Sequence, residues 1–289
     1  MSVSRVLERE IAVRSLLDCR DGADYLQTDD TAITVLDDRG GSFKGRIWTY
    51  LDPLTNQVVF DATTTHQRDG PAAFLADFRG TLQADAYRGH DGLYQSGRVI
   101  EIGCWAHARR QFVEAFMTDT SAALMIALIQ QLYQIEREAA DLDPESRRAR
   151  RQEQSVPLLA KIDAERQALA RTVLPESPVG EAVRYLRNQC AALQRFVDDG
   201  RVAIDNNRAE NQLRLVAVGR KNWLFAGSSE GARRAALLYS LLQSCKLLDV
   251  PPFAFLKDVL LRLATHPQRQ IDQLTPKRWA QTFRPQASA

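Results

Sequence analysis

Apolar and polar residues alternate along residues 25–36, YLQTDDTAITVL, with β-branched residues among them. A period of two is typical of a strand with one buried face. Residues 45–52 and 57–65 continue this pattern, and the DPLTN segment between them supplies the Pro and Asn that favour a hairpin turn. The pattern therefore predicts three antiparallel strands.

The period changes to that of a helix after the third strand. Residues 69–79 carry apolar residues at helical spacing, with Asp69 as a capping candidate and a proline in the first turn. Residues 81–87 and 99–105 predict two further strands, and residues 106–116 predict a helix. This order of elements predicts an α/β fold of the ribonuclease-H-like type, with a mixed sheet flanked by helices.

The second half of the chain has a mainly helical pattern. Residues 119–200 are rich in Leu, Ala, Gln, Glu and Arg and predict an all-helical insertion, with breaks at Pro144, Pro157 and 175–178. Residues 205–227 predict a capped helix to about Leu215, followed by a basic, aromatic loop that ends at Gly227. Helices are also predicted over 231–248 and after Pro251 and Pro252, whereas the polar end of the chain offers little to bury.

These patterns predict a division of the chain into segments. The segments are an N-terminal remnant or linker (1–23), the first part of a ribonuclease-H-like core (24–118), the helical insertion (119–203), the last part of the core with C-terminal helices (204–283) and a tail (284–289).

Composition limits the class of protein more than it identifies a partner. Lys and Arg total 38 against 36 Asp and Glu, so the net charge of +2 is too small to indicate a nucleic-acid partner without local clustering. The four cysteines form no C-x-x-C pair, which argues against a zinc knuckle and a disulfide scaffold and favours a reducing cytoplasm. No stretch approaches the ~18 apolar residues of a membrane span, so we expect a soluble cytoplasmic protein.

Three carboxylates occupy positions that could converge. Asp29 lies on the first strand, Asp85 at the end of the strand after the helix, and Glu210 one turn into the capped helix. Cleavage of a phosphodiester with two divalent ions requires such converging carboxylates. Residue types alone favour ordinary exposed or capping carboxylates. Asp30 is the alternative to Asp29 at the first position. Adjacent strand residues point to opposite faces, so only one of the two can face a metal site.

Five motifs resemble the insertion sequence 66 family of transposases. They are LQTDDT (26–31), LQADAYRGHDGLY (82–94), CWAHARRQF (104–112), IDNNRAENQLR (204–214) and GRKNWLFAGS (219–228). The resemblance follows the order of the family from about residue 24 to 283 and includes the SLLQSCKLLDVPPFAFLKDVL segment.

The resemblance implies a catalytic triad of Asp29, Asp85 and Glu210 that holds Mg²⁺ or Mn²⁺, with two ions expected. The family usually has Asp-Glu-Thr at the first motif, which favours Asp29 over Asp30. The implied function is that of a DNA transposase catalytic domain, which cleaves a strand at the transposon end and joins it to target DNA. The expected assembly is a homo-oligomer on DNA, with accessory proteins of the same element as further candidate partners.

Two other functions remain open. The chain could be a catalytically silent DNA-binding remnant, or a nuclease of the same fold that joins no strands. The sequence departs from the family at Asn211, where Arg is common, and at His90, where an aromatic is common. Nothing before residue 24 resembles the family's N-terminal region, so we expect a truncated or naturally short chain.

Basic and aromatic residues near the motifs are candidate DNA contacts. The candidates are His107, Arg109, Arg110, Arg208, Arg214, Arg220, Lys221 and Trp223. Helix packing is an equal alternative for His107, and Trp223 and Phe225 could instead be buried anchors.

Two further groups of residues have simpler expected roles. Cys104 and Trp105 are predicted to lie in the core rather than bind metal. The arginines at 147, 148, 150 and 151 are predicted to form a solvated, charged connection.

Overall fold

The structure, a computed structural model, describes residues 23–37 and 39–283. The predicted tail (284–289), Cys19 and all but the last residue of the predicted remnant (1–23) lie outside the described residues. The described chain is an α/β structure in which helices flank a five-stranded sheet. No helix among the described residues combines the length and apolar character that crossing a membrane requires.

The strands are β1 (Tyr25–Leu36), β2 (Ser42–Asp52), β3 (Gln57–Thr63), β4 (Gly80–Gln83) and β5 (Val99–Ile102). Their order in the sheet is β3-β2-β1-β4-β5. β1 pairs antiparallel with β2, and β2 pairs antiparallel with β3. The three predicted antiparallel strands are therefore confirmed, and the two later strands are confirmed but shorter than predicted.

The two faces of the antiparallel strands carry different residues. Directly opposed residues share a face, so Asp29 lies with Thr49 and Asp30 lies with Trp48. The face that carries Asp29 also carries the odd-numbered Ile33 and Val35. These two belong to an apolar core of strand and helix residues, which comprises Ile33, Val35, Ile47, Leu51, Val58, Phe60, Ala209, Leu213, Val216, Ala232 and Ala236.

The helices are α1 (Asp69–Phe74), α2 (Asp91–Gln95), α3 (Trp105–Phe116), α4 (Ala123–Glu138), α5 (Pro144–Arg150), α6 (Val156–Thr172), α7 (Pro178–Asn188), α8 (Cys190–Gln194), α9 (Asn207–Trp223), α10 (Ser229–Leu247), α11 (Pro252–Arg262) and α12 (Pro276–Thr282). Helix α1 ends at Phe74 rather than at residue 79, and Asp69 lies in its first turn without capping it.

Helix α9 is longer than predicted. It was expected to end near Leu215, but it continues to Trp223. Ala209, Leu213 and Val216 are buried at helical spacing against the sheet, and this packing outweighs the polar, loop-like sequence that follows. The helix stops where Leu224 adopts a left-handed backbone conformation with φ of 57°.

Helix α10 covers the outer edge of β3. The hydroxyls of Ser240 and Ser244, four residues apart, accept hydrogen bonds from the backbone N–H groups of Phe60 at 2.8 Å and Val58 at 3.1 Å. An edge strand otherwise presents unpaired N–H groups to other chains. The two serines therefore satisfy this edge while the helix packs on it.

The predicted break at Pro157 is wrong. Helix α5, a π-helical turn over Arg151–Ser155 and helix α6 follow one another without interruption. A proline lacks an N–H and clashes with the preceding turn of a regular α-helix. The wider turn immediately before the proline relieves this conflict, so the chain stays helical. The predicted breaks at Pro144 and 175–178 are confirmed, because helices begin at Pro144 and Pro178.

The prediction that Arg151 is solvated is wrong. Its side chain is fully buried and forms an ion pair with Glu136 at 2.6 Å. Its guanidinium also donates to the backbone carbonyls of Phe196, Asp199 and Val202. Arg148, by contrast, is exposed as predicted. The buried cation is stable because every donor that faces inward has a charged or carbonyl partner.

Residues after α11 bury more apolar side chains than the polar sequence there predicted. Ile271, Leu274 and Trp279 are buried in a second cluster with residues of α10 and α11. The Trp279 indole N–H donates to Asp258 on α11 at 2.7 Å. These apolar residues are widely spaced in a polar sequence, and tertiary packing brings them together in one buried cluster.

Two compact units divide the chain. The sheet unit comprises the described parts of Met1–Thr81, Arg88–Val99 and Arg208–Ala289, and the helical unit comprises Leu82–Tyr87 and Ile100–Asn207. The sheet unit contains β1 to β3 and α10 to α12, and the helical unit contains α3 to α8.

Candidate active site

Asp29 and Asp30 lie on opposite faces of β1. Asp29 shares its face with the apolar core on which α9 and α10 pack. Asp30 points to the other face, where Arg46 Nη1 donates to it at 2.9 Å and His66 Nε2 lies 3.2 Å away. The Asp30 carboxylate thus already has a cationic partner, whereas Asp29 faces the helix layer.

Helix α9 brings Glu210 to the same side of the sheet. Its buried stripe passes through Ala209, Leu213 and Val216, and Glu210 is next to Ala209 in sequence. A neighbouring residue is rotated by about 100° around a helix, so Glu210 lies at the border of the buried stripe, and it is half-buried. Asp29 and Glu210 therefore belong to one unit and to one side of its sheet.

Two of the arginines predicted to contact DNA hold α9 in place. Arg208 donates to the Pro53 carbonyl at 2.9 Å and to the Asn56 side chain at 2.7 Å, in the β2–β3 turn. Arg220 donates to Thr31 Oγ1 at 3.1 Å and to the Ala32 carbonyl at 2.6 Å, on β1. These contacts fix both ends of α9 against the sheet. They give both arginines a structural role, whatever they contact in a complex.

The other candidates on and after α9 differ in exposure. Arg214 and Lys221 are exposed. Trp223 is half-buried and packs against the sheet core, as its alternative interpretation as an anchor predicted. Phe225 is 46% exposed, so the same interpretation is wrong for it. Trp223 and Phe225 also line an apolar cavity of about 380 Å³ between α9 and α10.

Asp85 belongs to the helical unit. It follows β4 directly, is half-buried, and its Oδ1 accepts a hydrogen bond from the Tyr87 N–H at 3.2 Å. Burial raises the pKa of Tyr185, and the nearby acidic groups of Cys104, Asp85 and Glu101 raise it further. The charge of Arg110 acts in the opposite direction on the pKa of Tyr185.

The CWAHARR motif begins α3. Cys104 and Trp105 are buried, which confirms them as core residues, and the Trp105 indole N–H donates to the Leu193 carbonyl at 2.8 Å. His107 is half-buried in the first turn. Arg109 and Arg110 are exposed one turn later. The described cysteines, Cys104, Cys190 and Cys245, form no disulfide with one another.

The residues present suit a divalent cation such as Mg²⁺. Asp29 and Glu210 of the sheet unit offer carboxylate oxygens, which hard cations prefer, and both side chains are half-buried. The buried Thr49 hydroxyl, opposite Asp29 on the same face, makes no hydrogen bond with any described residue. A buried polar atom without a protein partner is typical of a place that a polar or charged group occupies.

His90 packs as an aromatic ring. Its ring centroid lies 6.0 Å from Trp48 and 6.3 Å from Tyr94, both in edge-on geometry. Burial, assisted by the charge of His66, lowers the pKa of His90 to about 4, so the imidazole is neutral at pH 7. The family commonly has an aromatic residue at this position, and His90 provides the same ring packing here.

The sequence did not predict three features of the structure. It did not identify Arg46 and His66 as the partners of Asp30, the burial of Arg151, or Arg137 beside Arg109 and Arg110. The register of β1 and β2 could have indicated Arg46, because it is two residues from the partner of Asp30. Nothing in the local sequence distinguishes Arg151 from its exposed neighbours.

Known proteins are similar in sequence to this chain over most of its length. The family described as "Transposase IS66 family" matches residues 10–234, and "IS66 C-terminal element" matches residues 240–277. Two proteins of Sinorhizobium fredii, y4hP and y4qI, both described as uncharacterized, are 35% and 32% identical over 89% and 93% of this chain.

The chain spans about half the length of these relatives, 51% and 52% respectively. No solved structure matches it. The match to the family covers well over half of the chain and includes the Asp29, Asp85 and Glu210 motifs. The chain therefore belongs to the IS66 family of transposases.

Proposed function

We propose that this chain is the catalytic domain of a DNA transposase and that Asp29, Asp85 and Glu210 together hold its divalent cations. The observation that carries the proposal is the arrangement of β1, since Asp29 faces the helix that bears Glu210 while Asp30 faces Arg46. Family membership supports the choice of all three carboxylates.

The proposed site residues fall into two groups, carboxylates that bind metal ions and basic or aromatic residues that contact DNA. Two bound Mg²⁺ or Mn²⁺ ions would supply Lewis-acid activation of the attacking oxygen and stabilisation of the leaving oxygen. The three carboxylates bind and orient these ions. Arg214, about one turn after Glu210 on α9, and Lys221, near the end of the same helix, are both exposed and supply positive charge for the DNA backbone. His107, Arg208, Arg220 and Trp223 are further proposed DNA contacts.

The proposed reaction has two steps. Water adds across one phosphodiester bond at the transposon end and leaves a 3′-hydroxyl. That hydroxyl then attacks a target phosphodiester, forms a new bond to phosphorus and displaces the target 3′-oxygen. The proposed assembly on DNA is a homo-oligomer, with accessory proteins of the same element as further partners.

We also propose that the sheet has the ribonuclease-H-like fold. Three antiparallel strands, a helix, a fourth strand, a short helix, a fifth strand and a longer helix follow one another along the chain, and β1 lies at the centre of the sheet. The helices α4 to α8, which lie within residues 119–203, would then be an insertion into that fold.

The adjacent aspartates provide the sharpest test. Asp29→Asn and Asp30→Asn make the same chemical change one residue apart, on opposite faces. We expect Asp29→Asn to reduce Mg²⁺- or Mn²⁺-dependent nicking of a labelled transposon-end duplex by about a hundredfold or more, as Asp85→Asn and Glu210→Gln should. Asp30→Asn should retain metal-dependent nicking.

The outcomes separate the proposal from its alternatives. Equal loss in both aspartate variants, or undiminished nicking by Asp29→Asn, would overturn the assignment. If the unaltered chain binds DNA but never cuts it, the chain is a silent binding protein. If it cuts DNA but yields no joined product, it is a nuclease. Gel analysis of nicked and joined species distinguishes these results.

A further inference from the structure

A polar groove of about 490 Å³ lies between α3 and α4 in the helical unit. Its walls carry Arg109 and Arg110 on α3 and Arg137 on α4, and all three side chains are exposed. No aspartate or glutamate of the described chain lines the groove. The Asp205 carboxylate accepts hydrogen bonds from the lining residues Tyr133 and Asn207, each at 2.9 Å. Three guanidinium groups outnumber this one carboxylate, so the groove attracts anions.

The spacing of the lining residues shows that two helix faces build the groove. On α3 they recur at positions i, i+3, i+4 and i+7, which include Arg109 and Arg110. On α4, Gln130, Tyr133 and Arg137 recur at i, i+3 and i+7. Residues at these intervals share one side of a helix. The arginines are therefore held by regular secondary structure rather than by a loop.

We propose that this groove binds the sugar–phosphate backbone of duplex DNA. Arginine presents a planar set of donors that matches two phosphate oxygens, and the side-chain amide of Gln130 adds a neutral donor. The inference rests on the proposed function and adds a contact surface outside the carboxylate motifs.

The lining favours contacts to the backbone over contacts to bases. Tyr133 is the single aromatic residue that lines the groove within the described chain, and its hydroxyl donates to Asp205 at 2.9 Å. A site that binds unpaired bases typically offers several stacking rings. The arginine-rich, aromatic-poor groove therefore fits phosphates of any sequence.

The test measures binding of the full chain to a labelled duplex of unrelated sequence by fluorescence anisotropy, over a salt titration in EDTA. Each lost phosphate contact reduces the slope of log affinity against log salt by about 0.9. We expect Arg137→Gln to reduce the slope by about that amount and to weaken binding by about three- to tenfold. The triple variant with Arg109→Gln and Arg110→Gln should lose two to three times as much slope.

Arg171→Gln is the matched control, because it removes one exposed positive charge of the helical unit outside the groove. It should leave the slope unchanged, and circular dichroism should show that all variants are folded. Equal slopes for Arg137→Gln and Arg171→Gln would overturn the proposal. A loss confined to transposon-end DNA would indicate base contacts instead.

Competition with inorganic phosphate at constant ionic strength separates DNA from a small-anion ligand. Displacement of DNA by low phosphate concentrations would overturn the backbone assignment. Normal binding together with absent cleavage would contradict only the proposed function. A chain that binds no duplex even at low salt would contradict both.

Discussion

The sheet unit and the helical unit accommodate charge in different ways. In the sheet unit the core face of β1 to β3 is apolar, and the Asp30–Arg46 pair lies on the opposite face, where both side chains retain some exposure. In the helical unit Arg151 is fully buried among helices and joins Glu136 to three backbone carbonyls. Successive side chains of a strand point to opposite faces, so a charged residue can lie on the face away from the core. Packed helices can bury a cation where several backbone carbonyl groups point toward it.

The largest expected effect tests the buried cation. Arg151→Met would keep most of the side-chain volume but leave Glu136 and the carbonyls without their donor. Breaking a buried ion pair on one side typically costs about 3–5 kcal/mol. We expect a loss of this size in the free energy of unfolding, measured by urea denaturation. Arg148→Met, at an exposed position, should change it by less than about 0.5 kcal/mol. Similar small losses for both would mean that the network contributes little.

The next effect concerns His90, the buried imidazole of the sheet unit. Its pKa is about 4 in the folded chain against 6.5 for an unperturbed histidine. The unfolded state therefore binds the proton more readily, and stability falls as pH decreases from about 6.5 to 4. His90→Phe should remove about 3 kcal/mol of this loss between pH 7 and pH 4, since one pKa unit corresponds to about 1.4 kcal/mol. Unfolding curves at the two pH values provide the internal control, and an unchanged acid sensitivity would show that His90 is not its source.

A smaller effect concerns the covered edge of the sheet. Ser240→Ala removes the acceptor for the buried Phe60 N–H, and an unpaired buried donor costs about 1–3 kcal/mol. Thermal unfolding and amide exchange at Phe60 measure the loss. Ser229→Ala, at an exposed position of the same helix, is the control. If Phe60 exchange is unaffected, α10 does not satisfy the edge through this hydroxyl.

The smallest effect concerns Asp61 on β3. Burial raises the pKa of Asp61, although a backbone hydrogen bond at Ala62 and the charge of Arg233 act in the opposite direction. The folded state then holds the proton more tightly than the unfolded state, so stability decreases as pH rises through the folded pKa. Asp61→Asn should be slightly more stable than the unaltered chain at pH 7 and equal to it at low pH. Greater stability of the unaltered chain at pH 7 would contradict this.

The strands of the sheet unit were predictable because local sequence and burial agree there. The alternation in residues 25–36 matches β1 from its first residue to its last. Helix α9 was predicted too short, because its second half is polar and its stability comes from contacts with the sheet. The break at Pro157 was wrong because a π turn replaced it, and no local pattern indicates that turn.

The candidate site was only partly predictable. The motifs indicated Asp29, Asp85 and Glu210 as candidates, and the alternation correctly predicted that Asp29 and Asp30 face opposite ways. The local pattern could not decide which face carries α9, because that depends on helix packing. Arg137 followed a readable helical spacing, but its proximity to Arg109 and Arg110 depends on the packing of α4 against α3.

The sequence by itself determined the family, the positions of β1 to β3 and the mainly helical character of residues 119–200, and it supplied the three carboxylates that we propose as metal ligands. These depend on short-range periodicity and on motifs, which the order of residues records directly. The tertiary structure alone decided the burial of Arg151, the covered edge of β3, the length of α9 and the face that Asp29 presents. Each of these depends on contacts between residues far apart in the chain, whose free energies exceed the local preferences of the segments that make them.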